Sequence, residues 1–217
     1  MKIDFHVHTS FSIDSTISIK SLIKKSNSLG IIPAITDHNS ISANSKFKES
    51  NAKFIPGEEI KTDIGDLIGF YLNELIPKNT SFLEALDKIQ DQGGISYLPH
   101  GFDPLRYNIG NKFPEYAKKV DIIEVFNARC ITSKPNELAM KFALENKKLF
   151  AGGSDSHFLF EFGKVYTELS DFDIENPKKL INALKKKVNI HGKLTPKYAK
   201  VSSIYSKLRR IKKSIFG

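Results

Sequence analysis

Sulfur is nearly missing from this chain of 217 residues, which has one cysteine and two methionines. With Cys130 alone no intramolecular disulfide can form, and zinc sites built only from cysteine are excluded. A reducing compartment is the expectation, and a cytoplasmic location with it. No apolar run approaches the roughly 18 residues that span a bilayer, so no transmembrane segment is expected. No secretory leader is expected either, since Met1 leads directly into a strand-like stretch that carries two histidines. Acidic residues are missing from the C-terminus, where eight Lys or Arg side chains stand between Lys193 and Lys213 without one carboxylate. Much of the formal charge of +9 sits there. This basic tail, 191–217, reads either as a solvated segment or as a patch for polyanions such as nucleic acid or a membrane surface.

What is present is enough for one sizeable core: 40% hydrophobic and 11% aromatic residues suit a single domain over 1–190. Apolar runs and helical periodicity alternate along it. Residues 2–7, 31–35, 54–60, 66–72, 95–98, 122–126 and 149–151 read as strands. Residues 17–29, 40–51, 81–92, 135–146 and 176–186 read as helices, the third ended by Gly93-Gly94. A turn at Thr62-Asp63-Ile64-Gly65 joins two of the strands. The rhythm is βαβ, and in such α/β folds the ligand site lies at the carboxyl ends of the strands.

Five of the six histidines fall where these apolar runs end, four of them within two residues of an acid or another histidine. The clusters are Asp4-Phe5-His6-Val7-His8, Thr36-Asp37-His38-Asn39, Leu98-Pro99-His100 and Gly153-Ser154-Asp155-Ser156-His157, with Gly57-Glu58-Glu59 between the second and third. His6 and His8 are two apart on a strand and so share a face. Imidazole with carboxylate suits Zn, Mn or Fe. Any one cluster could be a hydrogen-bonded loop; five at strand ends point to a catalytic metal centre. Adjacent cations repel, and a shared carboxylate offsets this; Glu59 has that role, while strand alternation turns Glu58 to the other side. His191 reads as solvated.

These motifs, with Pro99-His100 and Ile123-Glu124-Val125-Phe126-Asn127-Ala128-Arg129, resemble those of the PHP (polymerase and histidinol phosphatase) family of metal-dependent phosphoesterases, in order over about residues 1–170. The resemblance implies an α/β fold, a distorted seven-stranded (β/α) TIM-like barrel, with two or three divalent metal ions in its mouth. Carried over by motif, His6, His8, Glu59 and Asp155 hold one ion, Glu59 and His100 a second, and His38 and His157 a third with Asp14 as partner. Members with three full sites often carry a further histidine just after the strand that corresponds to Leu67–Phe70. Here Tyr71 and Leu72 follow instead, which implies a second ion weakly held or completed by water. Asp14 stands one residue later after His8 than in many relatives, so it reads alternatively as the cap of the helix beginning near Ile17.

The implied activity is hydrolysis of a phosphate ester by a metal-activated hydroxide, with His38, Glu59 and Asp155 as the catalytic set. Arg106 and Arg129 are the candidate phosphate contacts, because guanidinium can grip two oxygens at once, and Asn127 shares the strand face of Arg129. The substrate expected is a phosphorylated small molecule, a nucleotide or a nucleic-acid end. The alternative is a non-catalytic metal-binding module that interacts with nucleic acid or a polymerase.

Overall fold

The computed structural model describes residues 1–195 together with Val201, Ile204, Tyr205 and Leu208, so most of the basic tail lies outside the described residues. Nine strands form one sheet in the order β7-β6-β5-β4-β3-β2-β1-β8-β9. They are β1 (Lys2–Val7), β2 (Ile31–Ile35), β3 (Ile55–Lys61), β4 (Asp66–Phe70), β5 (Ile95–Leu98), β6 (Ile122–Asn127), β7 (Leu149–Gly153), β8 (Val165–Glu168) and β9 (Asn189–Gly192). The seven expected strands are β1 to β7, and they curl until the end of β7 meets β1. His8 N donates to Ser156 O at 3.0 Å and Ser156 N to His6 O at 3.3 Å. Closure at this seam requires glycine: a Cβ on Gly153 would lie 2.4 Å from Cβ of His6.

The other two strands correct the expected count. β8 pairs antiparallel with the start of β1 and β9 pairs with β8, so the sheet continues past the barrel seam and past residue 190. β4 is the second departure from a uniform βα rhythm. It is antiparallel to both β3 and β5, because the four-residue turn after β3 returns the chain at once. Thr62 N donates to Gly65 O at 2.8 Å to close that turn.

Helices cover the outside: α1 (Ile19–Leu29), α2 (Ser42–Glu49), α3 (Phe82–Asp91), α4 (Ile109–Lys112), α5 (Pro114–Ala117), α6 (Lys134–Glu145) and α7 (Pro177–Leu184). Their starts follow side-chain capping. The hydroxyls of Ser18 and Ser81 accept from the N–H groups of Ser21 and Glu84, which fixes α1 and α3. Ser18, not Asp14, therefore caps α1 and starts it two residues later than expected. α4 and α5, four residues each, are too short to show a helical period in sequence.

Inside the barrel Phe5, Phe70 and Tyr97 form a ring cluster, with centroids 5.4–6.2 Å apart. Each such contact contributes about 0.5–1.5 kcal/mol beyond burial. They come from β1 and from the adjacent pair β4 and β5, and β1 is not a sheet neighbour of either, so the cluster spans the interior. His6, next in sequence to Phe5, also reaches across, its ring 5.8 Å from that of His100. Consecutive residues on one side break strand alternation, and the register irregularity between Asp4 and Val7 is what permits it.

Candidate metal centre

The site sits at the mouth, where β1, β2, β3, β5, β6 and β7 end and β4 begins. Two imidazoles are oriented first. His6 Nδ1 donates to Glu124 Oε1 at 3.1 Å, which leaves its Nε2 with a lone pair. The hydroxyl proton of Ser12 is committed to Asp37 Oδ1 at 2.6 Å, so the 3.2 Å contact between Ser12 Oγ and His8 is made by the ring's Nδ1–H. Both Nε2 atoms then face each other at 3.1 Å. Glu59 Oε2 lies 3.5 Å from the first and 3.3 Å from the second, and Asp155 Oδ1 lies 3.7 and 3.5 Å away.

Electron-pair donors aimed at one point fit a cation, and a buried orphan supports this: Glu59 Oε2 has no hydrogen-bond partner. The two oxygens of Glu59 also divide their neighbours. Oε2 is 2.9 Å from His38 Nδ1, while Oε1 is 3.2 Å from His100 Nε2. Two more groups extend the centre. His8, His38 and His157 bring ring nitrogens within 4.8 Å of one another, and His6, His100 and Asp155 do the same with a carboxylate oxygen. Asp14 Oδ2 stands 3.4 Å from Nε2 of both His38 and His157.

The electrostatics follow from burial against charge. Burial opposes ionisation of Glu59, but His38 and His6 beside it hold its carboxyl well below the usual range. Asp155 is likewise held low against burial by His6 and Arg129. Burial opposes the charged form of His6 too, yet Asp155, Glu124 and Glu59 draw positive charge to this spot and push its pKa well above the ordinary value, a pull that a cation at Nε2 would answer with the ring neutral. His8 goes the other way, down to about 3, through burial and the nearness of His157 and His38. The cluster thus places positive charge among its carboxylates where the ligand set suits a metal ion.

Loops that carry the ligands are locked by buried acids. Asp37 accepts from Thr9 N, Thr9 Oγ1 and Ser12 Oγ at 2.6–2.7 Å, and so holds the turn after β1 rather than facing the ions. Asp4 accepts from Ser154 N at 2.8 Å and Ser154 Oγ at 2.6 Å, tying β7 to β1. Glu161 Oε2 accepts from His157 N at 2.8 Å. Three residues at the site have positive φ: Asn39 at 50°, His100 at 34° and Asp155 at 53°, a sparsely populated region that clusters at functional sites.

The expected substrate contacts are already engaged with the ligands. Arg106 Nη2 donates to Asp155 Oδ2 at 3.2 Å and keeps about a third of its side chain exposed. Arg129, buried, donates from Nη1 to Asp155 Oδ1 at 3.4 Å and lies 2.6 Å from His157 Nδ1. Asn127 Nδ2 donates to Glu124 Oε2 at 2.9 Å and reaches Asp155 Oδ2 at 3.4 Å. The expected residues His6, His8, Asp14, His38, Glu59, His100, Asp155 and His157 all come together.

Sequence reasoning missed three. Glu124 accepts from His6, from Tyr97 Oη at 3.1 Å and from His100 N at 2.6 Å, so it fixes two ligand-bearing elements. Ser12 orients His8. Asp66 stands with Glu59 and His100 in a fourth group whose ligand atoms lie within 4.8 Å of one another. Tyr71, by contrast, belongs to the far end: β4 runs backwards, and the Tyr71 hydroxyl donates to Ile174 O at 2.9 Å.

A family model described as PHP domain matches residues 4–121, and another described as PHP-associated matches residues 134–189. An uncharacterized protein of Methanocaldococcus jannaschii is 40% identical over 200 residues, covering 87% of this chain and 81% of its own length. A two-domain protein from Bacteroides vulgatus containing a predicted PHP-like metal-dependent phosphoesterase aligns with a TM-score of 0.70 at 17% identity over 89% of this chain. The chain spans 65% of that protein. PsfC from Pseudomonas syringae aligns with a TM-score of 0.69 at 16% identity, over 95% of this chain and 97% of that one. At these identities the two structures speak for the fold. No helix among the described residues is long and apolar enough to cross a membrane.

Proposed function

Since the chain belongs to the PHP family, we propose that it hydrolyses phosphate esters with two or three divalent ions held by His6, His8, Asp14, His38, Glu59, His100, Asp155 and His157. The observation that carries this reading is Glu59, buried, with each oxygen facing a different histidine group and one of them without a hydrogen-bond donor. Divalent cations there supply Lewis acidity and bring the pKa of water towards neutrality.

The chain's own residues do the rest. Glu124 and Ser12 hold the imidazoles of His6 and His8 in the tautomer that offers Nε2. Arg106 and Arg129 put two guanidinium groups beside Asp155, where they suit the oxygens of a phosphoryl group. Asn127 supports the same edge. No protein nucleophile is required. The substrate in this reading is a phosphomonoester, a nucleotide or a nucleic-acid end.

The test pairs metal analysis with turnover. The purified protein should retain two or three equivalents of Zn, Mn or Fe and hydrolyse p-nitrophenyl phosphate, losing both on treatment with a chelator. Retention of only trace metal after reconstitution, or hydrolysis that a chelator leaves intact, would contradict the proposal.

A further inference from the structure

Two of the ligand groups differ in the atoms they offer. His8, His38 and His157 present imidazole nitrogen alone, whereas Glu59, Asp66 and His100 present two carboxylates and one imidazole. Nitrogen suits Zn or Fe; carboxylate oxygen suits Mn and other hard cations.

Strand direction brings Asp66 to the mouth. It is the first residue of β4, paired with Lys61 at the end of β3, while Glu59 pairs with Ile68, so Asp66 lies diagonally from Glu59 on the same sheet face. Gly65 makes this approach possible, because at φ 149° any Cβ would lie 2.6 Å from Cβ of Tyr107. The carboxylates of Glu59 and Asp66 then stand close together around His100, and a cation between them would relieve their mutual repulsion. Within this cluster the oxygen that faces His100 Nε2, at 3.2 Å, is Oε1 of Glu59.

We infer that Glu59, Asp66 and His100 form a hard-cation position, filled by Mn2+ in preference to Zn2+, beside an imidazole position that takes Zn2+ or Fe2+. The centre is then of mixed metal composition, and Asp66 sets that composition. This rests on the metal-centre reading above.

The experiment uses the full chain, stripped by a chelator, loaded with one equivalent of Zn2+ and titrated with Mn2+ under electron paramagnetic resonance. The wild type should bind one Mn2+, and Asp66→Asn should weaken that binding about tenfold or more. Asp66→His, which replaces the oxygen donor with imidazole, should take a second Zn2+ in place of Mn2+ when both are supplied, as read by metal analysis. Unchanged Mn2+ binding in Asp66→Asn, or an unchanged Mn-to-Zn ratio in Asp66→His, overturns the inference while the hydrolase proposal stands. A wild type that binds neither ion overturns both. If Asp66→Asn does not fold, the wild-type stoichiometry and the Asp66→His ratio still decide it.

Discussion

The parallel strands and β4 offer opposite ends to the same site. β1, β2, β5 and β7 deliver His6, His8, His38, His100 and Asp155 as they finish, whereas β4 delivers Asp66 as it starts. The same reversal sends Tyr71 to the other end of the barrel. Strand direction, and not only strand position, decides which residues can meet a ligand. A similar contrast lies within β3. Glu58 and Glu59 are adjacent and both buried, yet Glu59 faces four histidines while Glu58 Oε2 accepts from Ile76 N at 3.0 Å, away from the metal centre.

The largest effect should come from Glu59→Gln. It keeps the volume and removes the charge that two cations share. Loss of several kcal/mol of electrostatic stabilisation corresponds to turnover falling on the order of 10³-fold. Steady-state hydrolysis of a phosphomonoester measures it; near-native activity would place the bridging carboxylate elsewhere.

Glu124→Gln should come next, lowering metal affinity by about 10–100-fold, because the carboxylate that fixes the His6 tautomer is replaced by an amide. Calorimetric metal titration reads this directly, and unchanged affinity would remove Glu124 from the orienting role.

How far the sequence disclosed these residues depends on what each needs. The histidines were legible because imidazole is rare and its position at the ends of apolar runs is visible in one dimension. Glu124 was not: alternation counted back from Asn127 turns it to the opposite face, and only the register irregularity between Glu124 and Phe126 brings both to the site. Asp66 required knowledge that β4 runs backwards. β1 to β7 were readable from apolar runs, but β8, four residues in which Thr167 and Glu168 follow Val165 and Tyr166, carries no such signal. Asp14 was read two ways, and the Ser18 cap removes one of them.

Glu58→Gln sharpens the contrast within β3, since it should act on stability and leave metal content unchanged. Burial pushes the Glu58 carboxyl up to about 7 from an ordinary 4.5. The folded state therefore binds the proton more tightly than the unfolded state, and the stability this carboxyl allows falls as pH rises from about 4.5 to about 7. The variant should gain thermal stability relative to wild type above pH 7 and lose that advantage near pH 4. A gain that is the same at both pH values would contradict this origin.

The smallest effect should come from deleting residues 197–217, whose basic side chains lie outside the ligand motifs. Turnover of a small phosphomonoester should stay within about twofold, while salt-sensitive binding to polyanions weakens. Loss of small-substrate turnover in a folded truncation would join the tail to the site.

Anomalous diffraction from crystals grown with Mn2+ tests the central claim most directly. Glu59 should be flanked by metal peaks, with at least one ion against each of its two oxygens. A single peak bound through one oxygen, or metal bound away from Glu59, would contradict the account.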